Sequence, residues 1–416
     1  MHNVSWWFLA VSVVGMAFTL NARRPLFAPA PAAVPSFFAG WLTSELWAHH
    51  IAWQLAATVA FVYEGALARW PGRAGLALTV ASWLLLARGH RHAVAAGAAL
   101  DGALAAALGD DHAATLAPSA RAWLTGGFDR AALTLPFPVR HPDVERTANV
   151  VFHGEGRRAL ALDVYRRRDR PTGCPTFVYV HGGGWVLGYR EYQGLPLLHH
   201  LAARGWTCFS VDYRLSPRAT FPDHLIDVKR ALAWVRAHGA EYGADPAFVV
   251  VGGNSAGGHL ASLAALTAND PMYQPGFEGV DTSVAACASF YGIYDFADRD
   301  GVWPHQGMRW LLERVVMKVT RRADPEAYER ASPIARVRAD APPFLVVHGE
   351  HDSLAPVAEA RRFVEALRAR SRAPVAYAEV PGAQHAFDIF PSVRTGHVLQ
   401  GVTRFLAYVF SLQRKG

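Results

Sequence analysis

Apolar stretches dominate the first quarter of the chain, and one of them has the character of a membrane helix. Residues 4–20 carry no charge, and further apolar stretches cover residues 51–67 and 74–87. A helix needs about 20 apolar residues to cross a bilayer, so the third stretch is short for a span unless flanking residues join it. The alanine-rich run over residues 93–108 contains an aspartate and predicts an interfacial or packed helix. The pattern predicts a membrane-anchoring region of about three apolar helices over residues 1–108.

Residues 4–20 could also be a cleaved secretory signal. No Lys or Arg precedes them, and no small-x-small cleavage site follows before Arg23 and Arg24, so a retained transmembrane helix is favoured. Arg23 and Arg24 favour a cytoplasmic first loop, and three spans would then leave the C-terminal domain in the cytoplasm. Arg69 and Arg73 favour the opposite orientation. We expect a multi-pass protein of a bacterial cell membrane, with the cytoplasmic side favoured for the C-terminal domain.

Four ionisable residues lie in or beside the second apolar stretch: Glu45, His49, His50 and Glu64. Charged residues at membrane depth can mark a functional pathway. Their positions near helix ends instead favour a location among the lipid headgroups. The net charge of +7 is compatible with attraction to anionic headgroups, although the excess is nearly all arginine and a coding bias would produce the same composition.

Residues 109–141 predict a linker, and beyond them short apolar strands alternate with helices. Strands are predicted over residues 149–153, 160–164, 176–180, 207–211, 248–252, 284–290, 343–348 and 375–380. Helices are predicted over residues 197–204, 226–237, 256–267, 358–369 and 395–411. This alternation predicts an α/β domain over residues 142–416 with an eight-stranded, mostly parallel, doubly wound sheet. The interruption over residues 296–331 predicts a cap, a lid or a pocket wall.

A serine flanked by glycines falls between a predicted strand and a predicted helix, in Gly253-Asn254-Ser255-Ala256-Gly257. A sharp strand-to-helix turn of this kind strains the serine backbone and lifts its hydroxyl out of the sheet. Bulky side chains at the two glycines would collide with the neighbouring strand and helix. A phosphate-binding loop is the alternative, but the G-x-G-x-x-G spacing and the acidic residue after the next strand are missing. The pattern is typical of a nucleophile elbow.

A serine hydroxyl is a poor nucleophile at neutral pH, so a base must take its proton and an acid must orient that base. Asp352 follows the strand over residues 343–348, and His385 follows the strand over residues 375–380. The order Ser, Asp, His along the chain is the one that α/β-hydrolases use. Asp352 could instead cap the following helix, with Glu350 as a competing acid and His351 as a competing base.

Three consecutive glycines, Gly182, Gly183 and Gly184, follow the strand over residues 176–180. Glycines weaken regular structure, but they let backbone N–H groups approach a ligand closely. Together with the N–H of Ala256, these amides are the candidate oxyanion hole for a tetrahedral intermediate. An ordinary glycine-rich surface loop is the alternative. The candidate substrate-pocket residues are Trp185, Asn254, Trp303 and Trp310.

Three segments together resemble the hormone-sensitive-lipase-like carboxylesterases: His181-Gly182-Gly183-Gly184, Asp212-Tyr213-Arg214-Leu215-Ser216-Pro217 and Gly253-Asn254-Ser255-Ala256-Gly257-Gly258. Residues 221–235 and the apolar N-terminus make the chain similar to the membrane-anchored Lip-type esterases of actinobacteria. The resemblance implies an α/β-hydrolase fold in which Ser255 is the nucleophile, with Asp352 and His385 completing the triad. It also implies an oxyanion hole made by the amides of Gly183, Gly184 and Ala256.

The same resemblance implies that Asp212 braces the glycine loop and does not react. The chain departs from the family pattern in two places. Arg218 follows Ser216-Pro217 where an acidic residue is common, and the N-terminal cap helices of soluble members are expected to be missing.

The sequence thus predicts a membrane-anchored serine carboxylesterase or lipase that works through an acyl-enzyme. The expected partners are a small-molecule or lipid ester and membrane lipids, with no cofactor, no metal and no nucleic acid. An isoprenylcysteine methylesterase-like enzyme or an amide hydrolase could use the same triad. A membrane-tethered binding protein without catalysis is the alternative from a different class.

Overall fold

The computed structural model describes residues 3–125, 133–137, 139–156 and 159–414. One sheet organises the C-terminal part of the chain, with the strand order β1-β2-β4-β3-β5-β6-β7-β8. The strands are β1 (Val144–His153), β2 (Leu160–Arg167), β3 (Cys174–Val180), β4 (Thr207–Val211), β5 (Ala244–Asn254), β6 (Ala286–Phe290), β7 (Phe344–Gly349) and β8 (Val375–Val380). The β1–β2 and β2–β4 pairs are antiparallel, and all other neighbours are parallel. The predicted mostly parallel α/β-hydrolase sheet is confirmed.

The described residues also form twelve α-helices. They are α1 (Val4–Arg23), α2 (Ala30–Glu45), α3 (Trp47–Tyr63), α4 (Trp70–Leu108), α5 (Pro118–Arg121), α6 (Leu195–Ala203), α7 (Asp223–His238), α8 (Ala256–Leu266), α9 (Gly307–Leu311), α10 (Pro325–Ala331), α11 (Val357–Arg370) and α12 (Val393–Gln413). One core lies between the sheet and α7, α8 and α11, and the other between the sheet and α6, α12 and the second half of α4. Strand β3 is buried at every position, as expected for a strand covered on both faces.

Helix α4 differs from the sequence-based expectation. The apolar stretch over residues 74–87 and the alanine-rich run over residues 93–108 form one helix of 39 residues. The polar residues between the two stretches interrupt the apolar pattern, but they do not prevent a helix. Gly89 lowers the stability of the helix by only about 1 kcal/mol relative to alanine. Leu100 is fully buried, and a Cβ on Gly401 of α12 would lie 2.6 Å from its Cδ1. The boundary expected at residue 108 is therefore the end of a helix that packs against the C-terminal domain.

Helix α2 was not expected from the pattern. Its beginning is rich in proline, with Pro31 in the first turn and Pro35 inside the helix. A proline in the first turn costs nothing, because the N–H that it lacks would have no partner there. Only Pro35 removes an intrahelical hydrogen bond. The prolines are thus compatible with a helix over Ala30–Glu45.

Helices α1, α3 and the first half of α4 pack side by side with polar groups inside. Thr79 Oγ1 donates to Ser12 Oγ at 3.0 Å, and Thr19 and Ser82 are bonded at 2.8 Å. The outer surface is apolar, with exposed side chains at Trp6, Trp7, Val13, Val14, Val59 and Leu84. Within the described residues, α1 is the one helix that is long and apolar enough to cross a membrane.

Candidate active site

Ser255 lies on the sharp turn between β5 and α8, with φ 54° and ψ −122°. Residues other than glycine rarely adopt such a positive φ. The surrounding structure must therefore hold the Ser255 backbone in this conformation. A Cβ on Gly257 would lie 2.0 Å from the carbonyl oxygen of Val180, and a Cβ on Gly253 would lie 2.4 Å from the same atom. The expected collision with the neighbouring strand is confirmed, because β3 passes directly beside the turn.

The structure brings Ser255, Asp352 and His385 together from three different loops. His385 Nε2 lies 2.9 Å from Ser255 Oγ, and His385 Nδ1 lies 2.7 Å from Asp352 Oδ2. Asp352 follows β7 and His385 follows β8, so both reach the same edge of the sheet as the serine turn. In this geometry the imidazole can accept the proton of the serine hydroxyl, while the carboxylate orients the ring and can stabilise its charged form.

Asp352 is buried and keeps its charge. The backbone N–H groups of Leu354 and Ala355 donate to its Oδ1 at 2.9 and 2.7 Å. Burial by itself raises the pKa of Asp352, but His385 and the hydrogen bonds from His348 and His385 outweigh it and hold the pKa below its usual range. The carboxyl group is therefore ionised at neutral pH and can orient the imidazole of His385.

The two residues that compete for the roles of acid and base, Glu350 and His351, make contacts elsewhere. Glu350 Oε2 accepts a hydrogen bond from the N–H of Gly382 at 2.8 Å. The backbone N–H of His351 donates to the carbonyl oxygen of Ala383 at 2.8 Å. Burial lowers the pKa of the His351 side chain. Neither side chain has a recorded contact with Ser255 or His385 among the described residues.

The glycine loop faces the serine turn, and its backbone shape depends on glycine. Gly183 has φ 117° and Gly184 has φ 59°. A Cβ on Gly183 would lie 1.9 Å from the carbonyl oxygen of Leu187, and a Cβ on Gly182 would lie 3.0 Å from Ser255 Cβ. The loop therefore passes Ser255 so closely that little room remains for a side chain.

Gly182 is not a free donor, contrary to the sequence-based expectation. Its N–H donates to Gln193 Oε1 at 2.8 Å, so it cannot also bind an oxyanion. The N–H groups of Gly183, Gly184 and Ala256 have no recorded partner in the described part of the chain, and the first N–H of a helix has none within the helix. The candidate oxyanion hole is thus reduced to these three amides.

Asp212 lies behind the glycine loop, where the resemblance places a bracing residue. Its Oδ1 accepts from the backbone N–H of Arg190 at 3.1 Å, and its Oδ2 is paired with the Arg190 guanidinium. Tyr213 donates its hydroxyl to the carbonyl oxygen of His181 at 3.1 Å. These contacts tie both ends of the loop to the chain after β4.

Sequence reasoning missed the residues that hold the triad in place. Gln384 Oε1 accepts from the backbone N–H groups of Ser353 and His385, both at 2.8 Å, which fixes the aspartate loop to the histidine loop. His348 Nε2 lies 3.2 Å from Asp352 Oδ2. The position of Gln384 next to His385 and of His348 at a strand end was a weak signal, but only tertiary contacts assign the roles.

A second buried carboxyl group lies near His385. The ring of Tyr291 lies 4.5 Å from the ring of His385, and the Tyr291 hydroxyl donates to Asp388. That hydroxyl also accepts from Asn254 Nδ2 at 3.0 Å. Burial raises the pKa of Asp388 to about 6, against the opposing effect of the Tyr291 hydrogen bond. This chain of contacts links the serine turn to the histidine loop behind the triad.

A cavity of about 550 Å³ opens onto Ser255 and His385. Of the expected pocket residues, Trp185, Asn254 and Trp310 line it, as do Met308 and Leu311 from the segment over residues 296–331. Trp303 does not line it, which corrects the expectation. Its indole N–H donates to Glu359 Oε2 at 3.1 Å, behind the cavity wall.

Helix α2 supplies the remaining wall of the cavity. Its lining side chains are Val34, Phe37, Phe38 and Trp41. Trp41 stacks on Phe390 with ring centroids 4.7 Å apart. A helix from the N-terminal region therefore lines the site, although the sequence led us to expect no N-terminal cap helix of the kind that soluble members have. Among the described residues, no cluster of three or more His, Cys, Asp or Glu side chains could hold a metal ion.

Comparison with known proteins identifies the family. A sequence profile of the family described as BD-FAE matches residues 162–367. The chain is 43% identical over 420 residues to the probable carboxylic ester hydrolase LipM of Mycobacterium tuberculosis (strain ATCC 25618 / H37Rv), covering 98% of this chain and 94% of that protein. It is 46% identical over 292 residues to the esterase LipC of the same organism, covering 68% of this chain and 72% of that protein.

Among solved structures, a truncated form of a carbohydrate esterase from gut microbiota matches with a TM-score of 0.51 and 23% identity. It covers 62% of this chain and 96% of that chain, and at this identity it shows the fold alone. The matches to the two mycobacterial esterases cover more of the chain and carry the assignment of function. The chain belongs to the actinobacterial Lip-type carboxylic ester hydrolases and is an esterase with an α/β-hydrolase fold.

Proposed function

We propose that this protein is a membrane-anchored serine carboxylesterase that cleaves acyl esters through an acyl-enzyme on Ser255. The observation that carries the proposal is the pair of hydrogen bonds made by His385, at 2.9 Å to Ser255 Oγ and at 2.7 Å to Asp352 Oδ2. Since Asp352 is ionised, Nδ1 of His385 carries a proton toward it, and Nε2 is left free to accept the serine proton.

Acylation then follows from the positions of these atoms. Ser255 Oγ attacks the ester carbonyl carbon while His385 Nε2 takes the hydroxyl proton, and the imidazolium is stabilised by Asp352. The tetrahedral intermediate collapses when His385 gives that proton to the leaving alcohol. A water molecule, deprotonated by His385, attacks the acyl-enzyme in the second half of the cycle and releases the carboxylic acid and free Ser255.

The glycine loop supports the charge that develops on the carbonyl oxygen. The amides of Gly183, Gly184 and Ala256 are the available donors. Loss of one such donor typically lowers the rate by about 10²–10³. Because Gly182 already donates to Gln193, we assign it a structural role: the Gln193 side chain fixes the loop so that the following amides can point toward the reacting carbonyl.

Membrane anchoring is proposed on the packing of the N-terminal helices. Polar side chains such as Ser12, Thr19 and Thr79 are buried between the helices, and large apolar side chains such as Val14 and Leu84 are exposed. This arrangement is the reverse of a water-soluble bundle and is favourable in lipid. Helix α1 is the main span, with α3 and the first half of α4 beside it in the bilayer.

The test is a Ser255→Ala variant of the full chain, purified in detergent. We expect turnover of p-nitrophenyl butyrate to fall by about 10⁶, because the nucleophile is removed. A fluorophosphonate probe should label the wild-type protein and not this variant. Ser119→Ala is the matched control, because Ser119 is exposed and outside the cavity, and it should retain full turnover and labelling. Residual turnover near the wild-type level in Ser255→Ala would overturn the proposal.

The same preparation separates the competing functions. Esters and amides with matched acyl groups, and a methyl ester of a prenylated cysteine, are assayed side by side. An amide or methyl-ester preference would change the assigned substrate while keeping the triad. A wild-type protein that neither turns over esters nor reacts with fluorophosphonate would identify a binding protein instead.

A further inference from the structure

We infer that the active-site cavity opens at the membrane surface and receives long-chain lipid esters sideways from the bilayer, with helix α2 as the wall at that boundary. The inference rests on the proposed function, and it specifies the substrate class and its route. The juxtaposition of the end of α1, helix α2 and His385 carries it.

Helix α2 lies directly on the end of the candidate membrane span. Asn21, in the last turn of α1, donates its side-chain N–H to the carbonyl oxygen of Ser36 at 2.7 Å, and Ser36 Oγ donates to Asn21 Oδ1 at 2.6 Å. Only residues 24–29 connect the two helices, a link of at most about 20 Å. Because α1 ends where its apolar run ends, at Arg23 and Arg24, α2 lies at the level of the lipid headgroups.

The catalytic histidine lies at the same level. Phe37 follows Ser36 directly, and its ring packs edge-on against the ring of His385 with centroids 6.0 Å apart. One residue of α2 thus touches the end of the span, and the next residue touches the triad. Only the side chain of Phe37 and the ring of His385 therefore lie between the membrane boundary and the reacting atoms, with no further layer of protein.

The mouth of the cavity is apolar on both of its sides. Val34 and Phe38 of α2 are 49% and 51% exposed, and Leu187 and Trp310 of the C-terminal domain are 61% and 62% exposed. All four also line the cavity. A rim of this kind would be costly in water, but it is favourable where it meets acyl chains, and tryptophan is enriched at this depth of a membrane.

Helix α2 is held in its second turn and at its C-terminal end, so the mouth is a fixed opening beside it. Near its beginning Ser36 is bonded to Asn21, and at its end the buried Glu45 is paired with Arg394 and accepts from Ser392 Oγ at 2.8 Å. The acyl chain of an ester in the bilayer can then slide between α2 and Trp310 and place its carbonyl carbon at Ser255. The polar alcohol part stays at the headgroup level.

The experiment uses the full-length protein reconstituted in vesicles of phosphatidylcholine and phosphatidylglycerol. 4-Methylumbelliferyl oleate is placed either in the same vesicles as the protein or in separate protein-free vesicles at the same total concentration. Entry from the bilayer predicts that the initial rate with shared vesicles follows the mole fraction of ester in the membrane and exceeds the rate with separate vesicles by at least about tenfold. Equal rates in the two arrangements would show entry from water and overturn the inference.

A water-soluble ester separates this inference from the proposed function. 4-Methylumbelliferyl butyrate is assayed in the same vesicles. If the butyrate ester is hydrolysed but the two oleate arrangements give equal rates, the route is wrong and the esterase proposal stands. If neither ester is hydrolysed, the proposed function fails.

A rim variant tests the residues themselves. In Phe38→Gln combined with Trp310→Gln, we expect the ratio of bilayer oleate turnover to butyrate turnover to fall by about tenfold, because two apolar contacts of the acyl chain are lost. Met272→Gln is the matched control, because Met272 is exposed but lies outside the cavity and outside the N-terminal helices, and its ratio should stay within about twofold of the wild type. An unchanged ratio in the rim variant would contradict the assignment of this mouth.

Discussion

At the residue scale, the site combines one strained backbone with one well-supported carboxylate. Ser255 is held at φ 54° because glycines at positions 253 and 257 allow β3 and α8 to pack against the turn. Asp352 receives two backbone N–H groups and contacts two histidines. These contacts stabilise its ionised form, and that form is the one that can orient His385.

Replacement of this carboxylate separates the two candidate acids. In Asp352→Asn the amide holds the wrong tautomer of His385, and kcat should fall by about 10⁴ with the fold retained. Glu350→Gln is the control, because the side chain of Glu350 accepts a hydrogen bond from the N–H of Gly382 and has no described contact with His385, and the variant should keep kcat within about threefold. Both variants are measured with p-nitrophenyl butyrate and compared by circular dichroism. A larger loss in Glu350→Gln than in Asp352→Asn would reassign the acid.

At the element scale, helix α2 contributes four of the residues that line the site. Its aromatic face forms part of the cavity wall, and its C-terminal end is fixed by the buried pair of Glu45 and Arg394. Glu45 was expected among the lipid headgroups, but it is buried against the C-terminal domain. Burial raises the pKa of Glu45, with the charge of Arg394 acting against that rise.

This pair can be tested by a double-mutant cycle. Arg394→Met leaves the Glu45 carboxylate buried without its partner, and the free energy of unfolding should fall by about 3–5 kcal/mol. Glu45→Met together with Arg394→Met should regain most of that loss, since both charges are removed. Denaturant unfolding in detergent measures both variants.

The loss in Arg394→Met should also depend on pH. Without Arg394, the folded-state pKa of Glu45 rises further above its unfolded-state value, so the folded protein binds the proton more tightly. The variant is then least destabilised at low pH, and the loss grows as pH rises through the raised pKa. A double variant as unstable as Arg394→Met would show that the pair does not hold α2 in place.

At the scale of the whole molecule, helix α4 joins the two parts of the chain. Its first half packs with α1 and α3, and its second half packs on α12 and the edge of the sheet. The exposed apolar surface of the N-terminal helices and the hydrolase core thus share one continuous helix of 39 residues. With the N-terminal helices anchored as proposed, a connection of this length would keep the cavity mouth at a constant height relative to the bilayer.

The orientation of α1 in lipid gives the corresponding prediction. Val14 lies near the middle of α1 and is half exposed. Val14→Arg should cost about 2.5–3.5 kcal/mol in insertion and lower the amount of protein that stays in membranes after an alkaline carbonate wash. Leu412→Arg is the control, because Leu412 is similarly exposed at the far end of α12. Normal membrane retention of Val14→Arg would place α1 outside the hydrocarbon region.

The sequence by itself determined the features that depend on neighbours along the chain. Short apolar runs that alternate with helical segments predicted all eight strands, because a buried strand is apolar along its own sequence. The serine turn and the order of Ser255, Asp352 and His385 could also be predicted, since each residue lies shortly after the end of a strand and parallel strands end at one edge of the sheet.

Only the tertiary structure decided which groups meet from distant parts of the chain. The bond from Gly182 to Gln193 removes one oxyanion donor, and Trp303 turns toward Glu359 instead of the cavity. Glu45 at the end of helix α2 pairs with Arg394, almost 350 residues later in the chain, and this contact holds α2 over the site. Such contacts are set by the shape of the folded core and by the need to pair buried polar groups, and no local pattern records them.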